Sequence, residues 1–373
     1  MSGQSVGVTP PLPQPTPPPP RRRDPLWAWL VVVFGVLLVL FSGAALAGGA
    51  VLNSRYDGAV NKDDLLAPDE ERQSEIDPNR PLNMLLVGVD ERPGSDEPAR
   101  GDSIIMVHIP AGHKQAFLVS LPRDLIVEIP ASPPGRKRAT HEKLNGAFPY
   151  GVENFGGLAG GFQLLSQTIE NLVDIRFDVA AVINFEGFRA VVRELGGVRM
   201  CLDHDVRSEH LGTGPDGKFL APDDGGKPFF YPAGCHDLGD LQALDVVRQR
   251  KSLPNGDYDR QRNQQKFLKA VMQKATSQGI VSDPKKLDAI IRKVGAALTF
   301  DSQGISPAEL AFSLRNVRDD DLVMVRTPGH GVGVGDNYQG EELDPIGAEL
   351  LSALGNGQLD TFVVAHPELV SPA

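Results

Sequence analysis

The longest apolar stretch of the chain comes early. From Pro25 to Ser54 there is no charged residue, and positions 26–52 are mostly Leu, Val, Ala and Gly. About 20 such residues cross the hydrocarbon core of a bilayer as a helix, so residues 26–50 are expected to form one transmembrane helix with Trp27 and Trp29 at its interfacial end. Arg21, Arg22 and Arg23 precede it and should hold the N-terminus in the cytoplasm, which places everything after residue 55 outside. The Pro-rich residues 1–25 read as a disordered cytoplasmic tail. A cleaved signal peptide ending near Ala45-Leu46-Ala47 is the alternative, and it exports the remainder equally.

Charges together with Pro68 and Pro78 mark 51–80 as a linker, and the pattern changes abruptly at Leu82. Short, almost wholly apolar runs at 82–89, 103–109 and 116–120 predict buried strands. Helical spacing appears at 162–172 and 188–195, the second stopped by Gly196-Gly197, with strands at 177–183 and 198–202. A loop rich in Gly, Pro and Asp (211–226) precedes helices at 241–250 and 260–277. Ser282 and Ser306 each stand before a helix that has Pro in its first turn, and 321–327 and 361–364 read as late strands. Strands interleaved with helices predict an α/β domain over 81–373, an α-β-α sandwich whose mixed central sheet is flanked by helices, preceded by one transmembrane helix.

A hydrophobic content of 41% and a charged content of 23% suit a globular domain. The net charge of −11 argues against nucleic acid as the partner, since a phosphate backbone needs a basic face. Arginine clusters in so acidic a chain are therefore informative. Three segments at strand ends set an Arg beside an Asp: GVDERPG (88–94), ARGDS (99–103) and SLPRD (120–124). Loops at strand ends are where α/β folds collect ligand sites, although each segment alone also fits a solvated turn. Downstream, ALDVVRQR (243–250) and DYDRQRNQQ (257–265) add more arginines. On one continuous helix Arg248 and Arg250 would point about 200° apart, whereas a helix ending at Arg248 lets both reach one pocket.

The guanidinium fork donates two parallel hydrogen bonds and keeps its charge, which suits a phosphate ester better than lysine does. A pyrophosphate needs several such forks. Two aspartates nearby would suit Mg²⁺, a hard cation that prefers oxygen ligands, and phosphoryl transfer relies on such positioning and charge neutralisation. The two cysteines, Cys201 and Cys235, would pair in an oxidising compartment and stay reduced in the cytoplasm, so topology decides between the two states. No CxxC or HExxH points to zinc. Gly212–Lys218 matches most of a P-loop, but Phe219 replaces the Mg²⁺-binding Ser or Thr and no strand is expected before it.

Taken in order, GVDERPG, ARGDSIIM, SLPRD, HEKLNGAFPYG, ALDVVRQR and DYDRQRNQQKFL resemble the LytR-CpsA-Psr family, over about residues 82–280. The resemblance implies an anchored extracytoplasmic catalytic domain that transfers a glycopolymer from a polyprenyl-pyrophosphate carrier to peptidoglycan. By motif it implies Asp90 and Asp102 as Mg²⁺ ligands, and Arg100, Arg123, Arg248, Arg250 and Arg260 as pyrophosphate-binding arginines. It also places Arg92, Lys143, Asp257 and Gln264 at the head-group site. The surroundings of Cys201 and Cys235 look like actinobacterial members, in which these two cysteines pair. Departures include Ser103 for the usual Thr, Val246 for a common Tyr and Asn263 where an Arg often stands. Apolar residues between the motifs (Phe162, Leu164, Leu165, Ile169, Phe185, Phe188, Val191, Val192) either pack the core or line a tunnel for the lipid tail. Asp90, Asp102 and Asp257 are all candidates for the general base. The rival readings are a sensor or scaffold that binds the lipid without transferring, historically labelled a transcriptional attenuator, and a hydrolase that uses water as acceptor.

Overall fold

The computed structural model describes residues 61–67, 75–90, 99–131, 138–280 and most of 298–371. The expected tail, the transmembrane helix, Arg92, much of the linker and most of the helices after Ser282 and Ser306 lie outside the described residues. Among the described residues no helix is long and apolar enough to cross a membrane.

In chain order the first elements are β1 (Asn61–Lys62), β2 (Leu82–Val89), β3 (Gly101–Ile109), β4 (Ala116–Ser120), the hairpin β5 (Ile126–Ile129) and β6 (Thr140–Lys143), α1 (Ala147–Gly151) and α2 (Gly157–Val173). Next come β7 (Val179–Ile183), α3 (Phe185–Glu194), β8 (Val198–Leu202), β9 (Val206–Thr213), β10 (Lys227–Tyr231), β11 (Gly234–Leu238), α4 (Asp240–Arg248) and α5 (Asp257–Ser277). The last are β12 (Leu298–Asp301), β13 (Leu322–Arg326), β14 (Gly329–Val332), β15 (Gly340–Leu343), α6 (Pro345–Gly355) and α7 (Leu359–Ala365).

Seven strands form the central sheet in the order β1-β12-β7-β2-β3-β4-β13. Its pairs are mixed: β2–β7 and β4–β13 are parallel, β2–β3 and β3–β4 antiparallel. The apolar runs are continuous because both faces are covered. On β2, Leu85, Val87 and Val89 join the core beneath α2 and α6, while Leu82, Met84 and Leu86 face the opposite core, which Leu268 and Met272 of α5 help to close. β3 alternates likewise, with Ile104 and Met106 on one side and Ile105 and Val107 on the other. Phe162, Leu165 and Ile169 recur every three to four residues along α2 and are fully buried.

Two expectations need correction. Residues 361–364 lie in α7 rather than in a strand, with Leu359 and Val363, one turn apart, buried in the α6-side core. A four-residue run of Thr, Phe and Val is too short for its period to decide, and packing on α6 does. The expected loop 211–226 begins inside β9, which pairs with β10 as a hairpin. The P-loop-like stretch runs from the end of β9 into the connection of that hairpin, with the Gly214 N–H bonded to the Lys218 carbonyl, and only a short 3-10 turn at Pro222–Asp224 follows before β10. Elsewhere on this flank, Cys201 and Cys235 stand directly opposite each other across β8–β11, Cα atoms 3.9 Å apart and sulfurs at bonding distance.

Candidate active site

The polar site begins where β2 ends and β3 starts. The ladder pairs Gly88 with Ser103 and Val89 with Gly101, leaving Asp102 as the extra residue of a bulge. A bulge re-aims a side chain out of the alternation; here Asp102 and Asp90, the residue after β2, line one cavity. The Asp90 N–H donates to the Arg100 carbonyl (3.2 Å).

Facing these carboxylates is the loop after β4. Arg123 Nη1 donates to Asp102 Oδ1 at 2.6 Å, and Arg123 Nε lies 3.6 Å from Asp124 and 3.8 Å from Asp257. Burial works against the charge of Arg123, but the carboxylates of Asp102, Asp124 and Asp257 outweigh it and push its pKa up. From α5, Arg260 Nη2 lies 2.6 Å from Asp257 and donates to the Asp102 carbonyl at 3.0 Å. Burial is the largest influence on Arg260 and pulls its pKa down, while Asp257 works against it. The buried Nε–H groups of Arg123 and Arg260 find no hydrogen-bond acceptor among the described residues. A buried donor left unpaired costs about 1–3 kcal/mol, and both of these belong to side chains that line one cavity, which would favour an anionic ligand there.

The third wall comes from α4. Its helix ends at Arg248 because Gln249 is extended, with its amide tied to Asp245 at 2.7 Å. The chain turns there, and Arg248 and Arg250 both line the cavity. The Arg248 guanidinium lies over the Phe185 ring, 4.2 Å from its centre, a cation–π contact that holds it at the border of polar and apolar surface.

Behind this neck the cavity, about 450 Å³, becomes apolar. One stripe of α5 shows the gradient: Arg260 and Gln264 at the polar end, then Phe267 and Leu268. Gln264 accepts from the Ser103 hydroxyl at 2.8 Å. Leu86, Ile105 and Ala181 of the sheet, Ile183, Phe188 of α3 and Leu244 of α4 continue the apolar wall, and Phe188 stacks on Phe267 with ring centres 4.1 Å apart. Among the described residues the neck carries five cations (Arg123, Arg248, Arg250, Lys251, Arg260) against three carboxylates (Asp90, Asp102, Glu209). The cavity thus offers an excess of positive charge at one end and hydrocarbon at the other.

The sequence model of the LytR_cpsA_psr family matches residues 50–346. The chain belongs to this family. A family relative from Enterococcus faecalis, named polyisoprenyl-teichoic acid–peptidoglycan teichoic acid transferase TagU, is 28% identical over 294 residues, covering 78% of this chain and 86% of that protein. Two solved structures share the fold: Bacillus subtilis TagV (TM-score 0.56, 21% identity, 76% of this chain and 98% of that one) and TagT with bound octaprenyl pyrophosphate lipid (TM-score 0.51, 21% identity, 79% and 98%).

Of the residues implied by family motifs, Asp90, Asp102, Arg123, Arg248, Arg250, Arg260 and Gln264 share the cavity. Asp257 and Lys143 lie just beyond Arg123, in a neighbouring polar cavity. Arg100 differs: its side chain is exposed and is not part of the cavity lining. Phe185 and Phe188 line the cavity as a tunnel would require, whereas Phe162, Leu164, Leu165 and Ile169 pack the core on the other face of the sheet. Val192 is core and Val191 packs partly buried against it. Sequence reasoning missed Asp124, Tyr258, Tyr338 and Glu341. Asp124 and Tyr258 sit inside quoted motifs, but Tyr338 and Glu341 are some 80 residues downstream in a stretch with no periodicity to single them out.

Proposed function

We propose that the protein is a cell-envelope phosphotransferase that moves a glycopolymer from a polyprenyl-pyrophosphate carrier to peptidoglycan, with its domain outside the membrane and a single N-terminal span as anchor. The observation that carries this reading is the pair of unpaired, buried guanidinium donors at the junction of a cationic neck and an apolar cavity. Such a junction suits a molecule that is anionic at one point and hydrocarbon beyond it. The relatives' names, a teichoic acid transferase and a structure holding a polyprenyl pyrophosphate, point the same way.

In this reading the polyprenyl chain lies along Leu86, Ile105, Phe188 and Phe267, and the pyrophosphate accepts from Arg123, Arg248, Arg250 and Arg260. The acceptor hydroxyl oxygen bonds to the sugar-side phosphorus as its bond to the bridging oxygen breaks. Polyprenyl phosphate leaves with that oxygen and the electron pair, and the hydroxyl proton passes to a carboxylate at the neck. Asp90 and Asp102 are hard oxygen donors lining the same cavity, which fits Mg²⁺ completed by phosphate oxygens and water. Among the described residues no larger group of metal-binding side chains gathers. When bound, the ion would supply neutralisation of phosphate charge. A Cys201–Cys235 disulfide belongs to the same proposal, since an exported domain meets oxidising conditions.

The test is transfer of a labelled glycan from a polyprenyl-pyrophosphate donor to peptidoglycan, with and without Mg²⁺. Labelled peptidoglycan is the expected product. Donor binding without turnover would leave a sensor or scaffold in its place, and glycan released to water a hydrolase.

A further inference from the structure

A second cavity adjoins the arginine neck, sharing Arg123 and Arg250 with it. It measures about 330 Å³, and its wall contains no aliphatic side chain: Asp124, Lys143, Asp257, Tyr338 and Glu341 complete it. Its cations (Arg123, Lys143, Arg250) equal its carboxylates (Asp124, Asp257, Glu341) in number. Among the described residues a lipid finds only the Tyr338 ring as apolar surface there, and a further phosphate finds no excess of positive charge. A neutral, hydroxyl-rich group meets what it needs: fixed acceptors, fixed donors and an aromatic ring.

Glu341 is the most constrained of these groups. The Tyr338 hydroxyl donates to its Oε1 at 2.9 Å and the Tyr258 hydroxyl to its Oε2 at 3.1 Å. Burial, reinforced by Glu341 itself, pushes both phenols above their ordinary pKa, so they remain donors at any working pH. The carboxylate is thereby oriented while each oxygen keeps a further lone pair. Lys143 lies over the Tyr338 ring, 4.8 Å from its centre, and 4.0 Å from Asp124. The hairpin that carries Glu341 is stitched to the Arg123 loop: the Glu341 N–H donates to the Asp124 carbonyl at 2.8 Å. Gly340 permits this approach, with φ of 153° and a Cβ that would lie 2.7 Å from the same carbonyl oxygen. The C-terminal hairpin is thus built into the wall facing the neck.

We infer that this cavity is the acceptor subsite, holding the sugar that bears the attacking hydroxyl, with Glu341 and Tyr338 as carbohydrate-binding groups. The inference rests on the transferase reading. Phosphoryl transfer runs roughly in line, the nucleophile opposite the leaving group. If the polyprenyl phosphate departs into the apolar cavity, the attack comes from the opposite direction, and this cavity is the neighbour that shares Arg123 and Arg250.

The experiment uses the full-length chain in detergent, a labelled polyprenyl-pyrophosphate disaccharide as donor and a soluble disaccharide–peptide fragment of peptidoglycan as acceptor. Glu341→Gln and Tyr338→Phe are each expected to raise the acceptor KM about tenfold or more, the effect of one hydrogen bond to a charged group. Donor Kd should stay within about twofold, and the thermal midpoint should hold. A donor Kd that weakens in step with the acceptor KM would assign the cavity to the donor's own glycan and overturn the inference, as would an unchanged KM. Should the parent transfer nothing, saturation-transfer NMR with the same fragment decides. Binding by the parent that is lost in both variants supports the subsite while removing the transferase reading, and no binding by the parent overturns the subsite.

Discussion

Arg123 touches three carboxylates yet leaves a buried Nε–H without an acceptor, and Arg260 beside it does the same. Arg123→Ala and Arg248→Ala should each lower kcat/KM for transfer about 10²-fold, the equivalent of about 3 kcal/mol of lost phosphate stabilisation. Because the arginines act on one charge, the double variant should cost far less than the product of the singles. Arg100→Ala should be mild, since that side chain is exposed and away from the cavity; a loss as deep as that of Arg123→Ala would place it back at the pyrophosphate. A different residue governs pH. Burial lowers the His108 pKa to about 4, against a weaker opposing pull from Asp360. The unfolded chain then takes up this proton near pH 6.5 and the folded one only near 4, so stability falls as pH drops through that window, by up to about 3 kcal/mol. Replacing His108 with Gln should flatten this part of a denaturation-versus-pH curve.

At the scale of elements, what could be read from the chain is what local pattern decides. The strands β2, β3 and β4 stood out as apolar runs; the pattern carried the helix on to residue 250, and the spacing of Arg248 and Arg250 only offered the alternative of a stop at Arg248, which is where α4 ends. The bulge at Asp102 left no mark in sequence, because it depends on the register of β2 against β3. Nor did β14–β15, whose Gly-rich strands owe their place to the Asp124 carbonyl rather than to any alternation of their own. In α7, tertiary packing overrode a strand-like run. The β8–β11 pair gives a prediction at this scale. Cys201 and Cys235 are 34 positions apart and face each other across the ladder. A disulfide there should contribute about 3–4 kcal/mol on the chain-entropy account. Intact mass after alkylation without reductant should show no free thiol, and Cys201→Ser with Cys235→Ser should lower the thermal midpoint by several degrees. Two alkylated cysteines would remove the bond.

For the whole molecule, the sheet separates two jobs. One face, under α2 and α6, is closed core, whereas the other, under α3, α4 and α5, opens into the apolar cavity. A protein that works on the outer side of a membrane has no nucleotide at hand to drive group transfer. A substrate that carries its own pyrophosphate bond and its own lipid meets that constraint, and the cavity, cationic at its neck and apolar behind, fits it. The scheme requires the folded region to be exported. On the proposed topology the arginines at 21–23 before an uncharged span would supply the orientation. A single cysteine introduced at Pro215, an exposed position in the β9–β10 turn, tests it in a background where Cys201 and Cys235 are serine. A membrane-impermeant maleimide should label it in intact cells to the same extent as in permeabilised ones. Labelling only after permeabilisation would put the domain in the cytoplasm, where neither peptidoglycan nor an oxidised cysteine pair would be within its reach.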